Sequence, residues 1–115
     1  MDCIFCKIAK GEIPSREVHA DEHVIAFHDI RPQAPTHVLV VPRVHIRSLS
    51  ELVDRDLAGR LLSVAAEIAR AQKLDQGWRL IVNSGAHGGQ EVAHLHLHVL
   101  GGRPLGRMLQ PAKTT

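Results

Sequence analysis

The chain has 115 residues, 44% of them apolar, which fits one domain with a real core and argues against disorder. A scattered formal charge of +2 is too small to mark a nucleic-acid surface. No run is long and apolar enough to span a membrane, and none has a signal-peptide pattern. The expectation is a single soluble, cytoplasmic domain over 1–115, with a tail from about 103. Two cysteines, Cys3 and Cys6, are too few for a disulfide framework. Nine histidines are the compositional anomaly.

In chain order, DCIFCKIAKGEIP reads as a short helix. Asp2 can cap it, Ile4 and Ile8 share a face, and Gly11 and Pro14 end it. EVHADEHVIAFHDI reads as two strands joined at Asp21 and Glu22. RPQAPT (31–36) has prolines at 32 and 35 and is a loop. HVLVVP (37–42) is apolar on both faces, as a central strand would be. The one long helix follows. Leu57, Leu61, Val64, Ile68 and Ala71 make its amphipathic stripe, Asp54 its cap and Gly77 its stop. WRLIVN (78–83) and HLHLHVL (94–100) are two further strands around the loop SGAHGGQEVA. Without a regular strand–helix–strand alternation, the sum is an α+β fold: a five-stranded antiparallel sheet with one long and one short helix.

The last strand carries the chemistry. His94, His96 and His98 recur at every second position, so they share one face while Leu95, Leu97 and Val99 share the core face. At roughly 3.3 Å per residue the end members lie about 13 Å apart. Zinc ligands sit about 2 Å from their metal, so a simple three-histidine zinc site is disfavoured. A row with divided labour fits better, because imidazole can act as nucleophile, proton donor or anion-binding donor near neutral pH. The preceding NSGAHGGQ (83–90) has Gly85, Gly88 and Gly89, which can turn backbone N–H groups toward one anion. Asn83 and Gln90 add amides. Together they suggest a phosphate held beside an imidazole.

HLHLHVL, with AFHDIRPQAPTHVLVVP and GGQEVAHLHLHVLGGRPLG, resembles the histidine triad family, in its histidine-triad nucleotide-binding branch, from Cys3 to about Leu109. The resemblance implies a homodimer with one sheet continuous across both protomers. It implies hydrolysis of purine nucleoside phosphoramidates and acyl adenylates to the nucleoside monophosphate. His96 would attack phosphorus and form a covalent nucleotidyl-histidine. His98 would hydrogen-bond the phosphate or the leaving amine, with Asn83, Gly89 and Gln90 around the phosphoryl group. Asp29 would hold the ribose hydroxyls and His28 would line the same region. Ile4, Phe5, Ile8 and Phe27 would form the slot for the base, although these four also read as plain core, and Asp29 as a turn residue.

Glu91 stands where eukaryotic relatives carry a serine, and it is expected to contact a cationic leaving amine. The tail lacks a tryptophan that some relatives place near the partner's site, and Met108 and Leu109 are candidates to replace it. No metal is needed for this catalysis. Some bacterial relatives, however, bind structural zinc, and the carried-over ligands are Cys3, Cys6, His45 and His94, against a reading of both cysteines as buried hydrophobes. His19, His23, His37 and His87 read as surface or packing histidines, with a structural hydrogen bond for His37. Two other functions stay open: a nucleotide-binding interaction module with incidental hydrolysis, and a dinucleoside polyphosphate hydrolase.

Overall fold

A computed structural model describes residues 3–109. The short helix α1 covers Ile4–Ala9. Strands β1 (Glu17–Ala20), β2 (Val24–His28) and β3 (Thr36–Pro42) follow, then α2 (Arg55–Ala71), β4 (Trp78–Ile81) and β5 (Leu97–Gly101). All strand pairs are antiparallel, in the order β1-β2-β3-β5-β4. This is the α+β architecture expected.

The period of two along each strand divides the molecule into layers. Val24, Ala26, Val38, Val40, Leu97 and Val99 face α2, joining its Leu57, Leu61, Val64, Ala65 and Ile68. Ile25, Phe27, Leu39 and Val41 face the other way, onto Cys3, Phe5 and Ile8 of the α1 segment. Leu95 belongs to the α2 layer, so the histidines that alternate with these leucines lie on the α1 side.

Several boundaries differ from the sequence reading, and β3 starts one residue early, at Thr36. The last strand starts at Leu97 rather than His94. Its pairing with β3 stops at Val40 opposite Leu97. Beyond that point Leu95 N–H donates to the Ile46 carbonyl at 2.7 Å, and the Pro42 carbonyl is taken by the His94 ring. Pro42 itself has no N–H to extend a ladder. In α1 the N-cap is Cys3, whose sulfur accepts from Cys6 N–H; Asp2 lies outside the described residues. Asp54 caps α2 as expected, accepting from Leu57 N–H at 3.1 Å. The helix ends at Ala71, which is exposed, with the reversal at Lys73 (φ 59°). Gly77 (φ 119°) instead turns the chain into β4, which stops at Ile81. A short 3-10 turn at Leu49–Glu51 had no signal in the sequence pattern.

Among the described residues no helix is long and apolar enough to cross a membrane. The edge strand β4 and helix α2 leave Trp78 and Leu62 39% and 55% exposed.

Candidate active site

The ladder of hydrogen bonds around the histidines fixes which nitrogen carries each proton. His96 Nδ1 lies 2.7 Å from the His94 carbonyl, which can only accept, so Nδ1–H donates and Nε2 is bare. His37 Nδ1 accepts from Gln33 N–H at 3.0 Å, so its proton sits on Nε2. That Nε2–H donates to His98 Nδ1 at 2.9 Å, which leaves the His98 proton on Nε2. A bare Nε2 on His96 therefore stands beside an Nε2–H on His98, with ring centroids 5.0 Å apart. Among the described residues no buried side-chain nitrogen or oxygen lacks a partner. These two unpartnered Nε2 atoms therefore reach the surface, although His96 is only 6% exposed. A lone pair next to a donor is the arrangement a nucleophile and an oxyanion-binding group need.

Burial favours the neutral form of His98 and of His37. It pushes His98 down to about 4, helped by repulsion from His96 and His37 and opposed by Asp29. Burial likewise lowers His37, against the pull of Asp29. Asp29 Oδ2 lies 3.4 Å from His37 Nε2, while its Oδ1 accepts from Arg31 N–H at 2.8 Å. Asp29 is thus both the turn residue and a wall of the site.

His37 is the member that sequence reasoning underrated. It does make a hydrogen bond, but to a triad histidine. Leu39 pairs with His98 and His37 with Leu100, so His37 and His98 are diagonal neighbours on one sheet face. The parity of β3 was readable in the sequence; its register against β5 was not.

The other predicted residues separate by position. Phe5 packs edge-on against His96 (5.1 Å between centroids) and Phe27 (5.6 Å). Phe5, Ile8 and Phe27 are core, whereas Ile4 is 47% exposed. His28 is half-buried at the end of β2. Asn83 is half-buried in the loop, and Gly89 and Glu91 are exposed. The loop spends much of its polarity on itself. Gly89 N–H donates to the Ala86 carbonyl and Gln90 N–H to the Gly85 carbonyl. The Gln90 side chain accepts from Gly85 N–H and donates to the Arg47 and Val92 carbonyls. In this structure the Gly89 and Gln90 groups therefore shape the turn rather than point outward as the expected anion nest. Gly88 is required by space, since a Cβ there would meet the Ser84 carbonyl oxygen at 2.5 Å. Glu91 borders a cavity of about 390 Å³ with Arg47, Glu51 and Gly85. A larger cavity of about 660 Å³, between Lys73–Arg79 and Gly102–Leu105, includes none of the predicted site residues. Met108 and Leu109 are 84% and 76% exposed.

Behind the triad lies a second cluster. His94, fully buried, gives its Nε2–H to the Pro42 carbonyl at 2.8 Å, so Nδ1 is bare. That Nδ1 lies 3.2 Å from Cys3 Sγ, 3.5 Å from Cys6 Sγ and 3.2 Å from His45 Nδ1. Cys6 Sγ lies 3.4 Å from His45 Nδ1. Burial raises the Cys6 thiol, and the hydrogen bond and charge of Cys3 raise it further. All four donor atoms fall within 4.8 Å of one another. A tetrahedral zinc shell at roughly 2.0–2.3 Å sets neighbouring donors roughly 3.3–3.8 Å apart, so the donor types and spacings both fit that ion.

Known proteins resemble this chain in sequence and fold. The HIT domain family model matches residues 10–105. Purine nucleoside phosphoramidase of Escherichia coli is 50% identical over 111 residues, covering 94% of this chain and 93% of its own. A histidine triad protein from Clostridium difficile superimposes with a TM-score of 0.89 at 49% identity, covering 95% of this chain and 97% of its own. A HIT family hydrolase from Legionella pneumophila gives 0.89 at 47%, covering 91% and 96%. The histidine row that leads into β5, the loop before it and these similarities together place the chain in the HIT domain family.

Proposed function

We propose that the chain hydrolyses the phosphorus–nitrogen bond of purine nucleoside phosphoramidates, and acyl adenylates by the same route. The observation that carries this is the complementary pair of surface-reaching nitrogens, a bare Nε2 on His96 and an Nε2–H on His98. The E. coli relative is a purine nucleoside phosphoramidase at 50% identity, which supplies the substrate class. The His96 lone pair forms a bond to phosphorus as the bond to nitrogen breaks. Nitrogen leaves with the electron pair and one proton from His98 Nε2–H, departing as neutral amine; the water of the second step returns that proton to His98 as its oxygen bonds phosphorus. Water then displaces the imidazole, releasing the nucleoside monophosphate and returning His96 to its starting form.

The remaining roles are those the family resemblance implies. The His94 carbonyl stabilises the positive charge that develops on the His96 ring. Asn83, Gly89 and Gln90 frame the phosphoryl group, Gln90 by holding the loop. Asp29 and His28 receive the ribose, and Ile4, Phe5, Ile8 and Phe27 the base. Glu91 faces the leaving amine. No cofactor takes part in the bond changes. Cys3, Cys6, His45 and His94 hold a zinc ion whose part is to cross-link the α1 segment to the chain before β5. The protein works as a cytoplasmic homodimer joined through edge strand β4 and α2, where Trp78 and Leu62 are exposed.

The test is hydrolysis of adenosine 5′-phosphoramidate by the wild type and by His96→Ala. Turnover lost in the variant, with adenosine monophosphate binding retained, is the expected result. Binding without turnover in the wild type would make the chain a nucleotide-binding module.

A further inference from the structure

We infer that His94 and Phe5 are positioning residues through which the Cys3, Cys6, His45 and His94 cluster sets the placement of the His96 nucleophile; the inference rests on the catalytic and metal readings proposed above.

Two separate contacts join the cluster to His96. The first runs through one residue. The His94 ring is fastened on both sides, by the Pro42 carbonyl at Nε2 and by the sulfurs and His45 at Nδ1. The carbonyl of the same residue accepts the His96 Nδ1–H at 2.7 Å. Between them Leu95 is buried and its N–H is tied to Ile46, so little slack separates a shift of the His94 ring from a shift of that carbonyl. The second contact is Phe5. It stands between Cys3 and Cys6 in sequence, on a helix of six residues. Its ring packs edge-on against both His94 (5.8 Å) and His96 (5.1 Å).

The two Nδ1 atoms of the cluster face each other at 3.2 Å, and the His94 one is bare because its proton lies on the Pro42 side. A cation shared by the four donors ties α1 to the β5 approach. Without it, Phe5 and the His94 ring gain freedom, and the direction of the His96 lone pair loosens. A nucleophile misplaced by about 1 Å costs up to about a hundredfold in rate, with little change in how substrate binds.

The experiment compares the full chain loaded with zinc, stripped by chelator, and reloaded with cadmium. Three readouts are followed: kcat and KM for adenosine 5′-phosphoramidate, circular dichroism, and the ¹⁵N–¹H imidazole spectrum of His96. Stripping is expected to leave the sheet signal in place and to lower kcat about tenfold to a hundredfold. KM should stay within about threefold, and the His96 spectrum should pass from one Nδ1–H form to a mixture. Cadmium should restore both. An unchanged His96 spectrum and kcat after stripping would overturn the inference, as would a chain that binds no zinc. A loaded chain that does not turn over overturns the catalytic reading instead, and the His96 spectrum then decides the coupling by itself. If stripping unfolds the chain, His45→Gln gives up a ligand outside α1. That variant should bind zinc more weakly and show the same spectral change in milder form; weak zinc with an unaltered His96 spectrum would again overturn it.

Discussion

Replacing His37 by Phe keeps an aromatic ring in place and removes both nitrogens. The loss falls first on His98. Its Nδ1 would lose the donor now at 2.9 Å, and nothing would then prefer the tautomer with the proton on Nε2. An unpaired, partly buried acceptor costs about 1–3 kcal/mol. If that cost falls on the transition state, kcat drops between about fivefold and about 150-fold. His98→Ala deletes the donor itself and should cost about 10²–10⁴. If His37 acts through His98, the double variant should be no worse than His98→Ala alone, a coupling of about 1–3 kcal/mol. Steady-state hydrolysis of adenosine 5′-phosphoramidate by the wild type, both single variants and the double variant measures this directly. Unfolding curves for each correct for the Gln33 N–H that Phe would leave unpaired. Additive losses, or a His37→Phe kcat within about twofold of wild type, would refute the relay from Gln33 through His37 to His98.

Acid should destabilise the fold through the same ring. His98 titrates near 4 when folded and near 6.5 when exposed, so the unfolded chain binds the proton first. Stability falls as pH drops from 6.5 toward 4, by on the order of 3 kcal/mol for this group, with His37 and His94 shifted in the same direction. Urea unfolding at pH 7 and pH 4.5 should show a smaller difference in His98→Asn than in the wild type. Gly88→Ala forces a Cβ against the Ser84 carbonyl and should lower kcat/KM by about tenfold or more through loop displacement, with the sheet signal in circular dichroism unchanged. Asp54→Ala removes the α2 cap and should cost about 1 kcal/mol in urea unfolding, with kcat unaffected because α2 lies on the sheet face away from the histidines.

The parts of this fold that were legible in the sequence are those governed by period. Alternation in HLHLHVL placed Leu95, Leu97 and Val99 on one side and the histidines on the other, and the structure keeps that division. The stripe and Asp54 placed α2. Boundaries were less legible, because they depend on which backbone groups find partners. β5 is shorter than its pattern because Pro42 ends the ladder and Ile46 takes the Leu95 amide. Gln90 reads as a free amide in the sequence, but only the folded loop shows its three hydrogen bonds. His37 was hidden by register, a property of two strands sixty residues apart that neither strand states alone. The Cys3 and Cys6 spacing pointed to a ligand pair, and the fold brings His45 and His94 to it.

The central claim is that His96 is the nucleophile, and trapping its adduct tests it most directly. The wild type would be mixed with adenosine 5′-phosphoramidate, quenched within the first turnover, digested and read by mass spectrometry. An adenylyl group is expected on the His96 peptide, decaying as adenosine monophosphate appears and absent in His96→Ala, with net retention of configuration at phosphorus. An adduct on another residue, or turnover with inversion and no adduct, would contradict it.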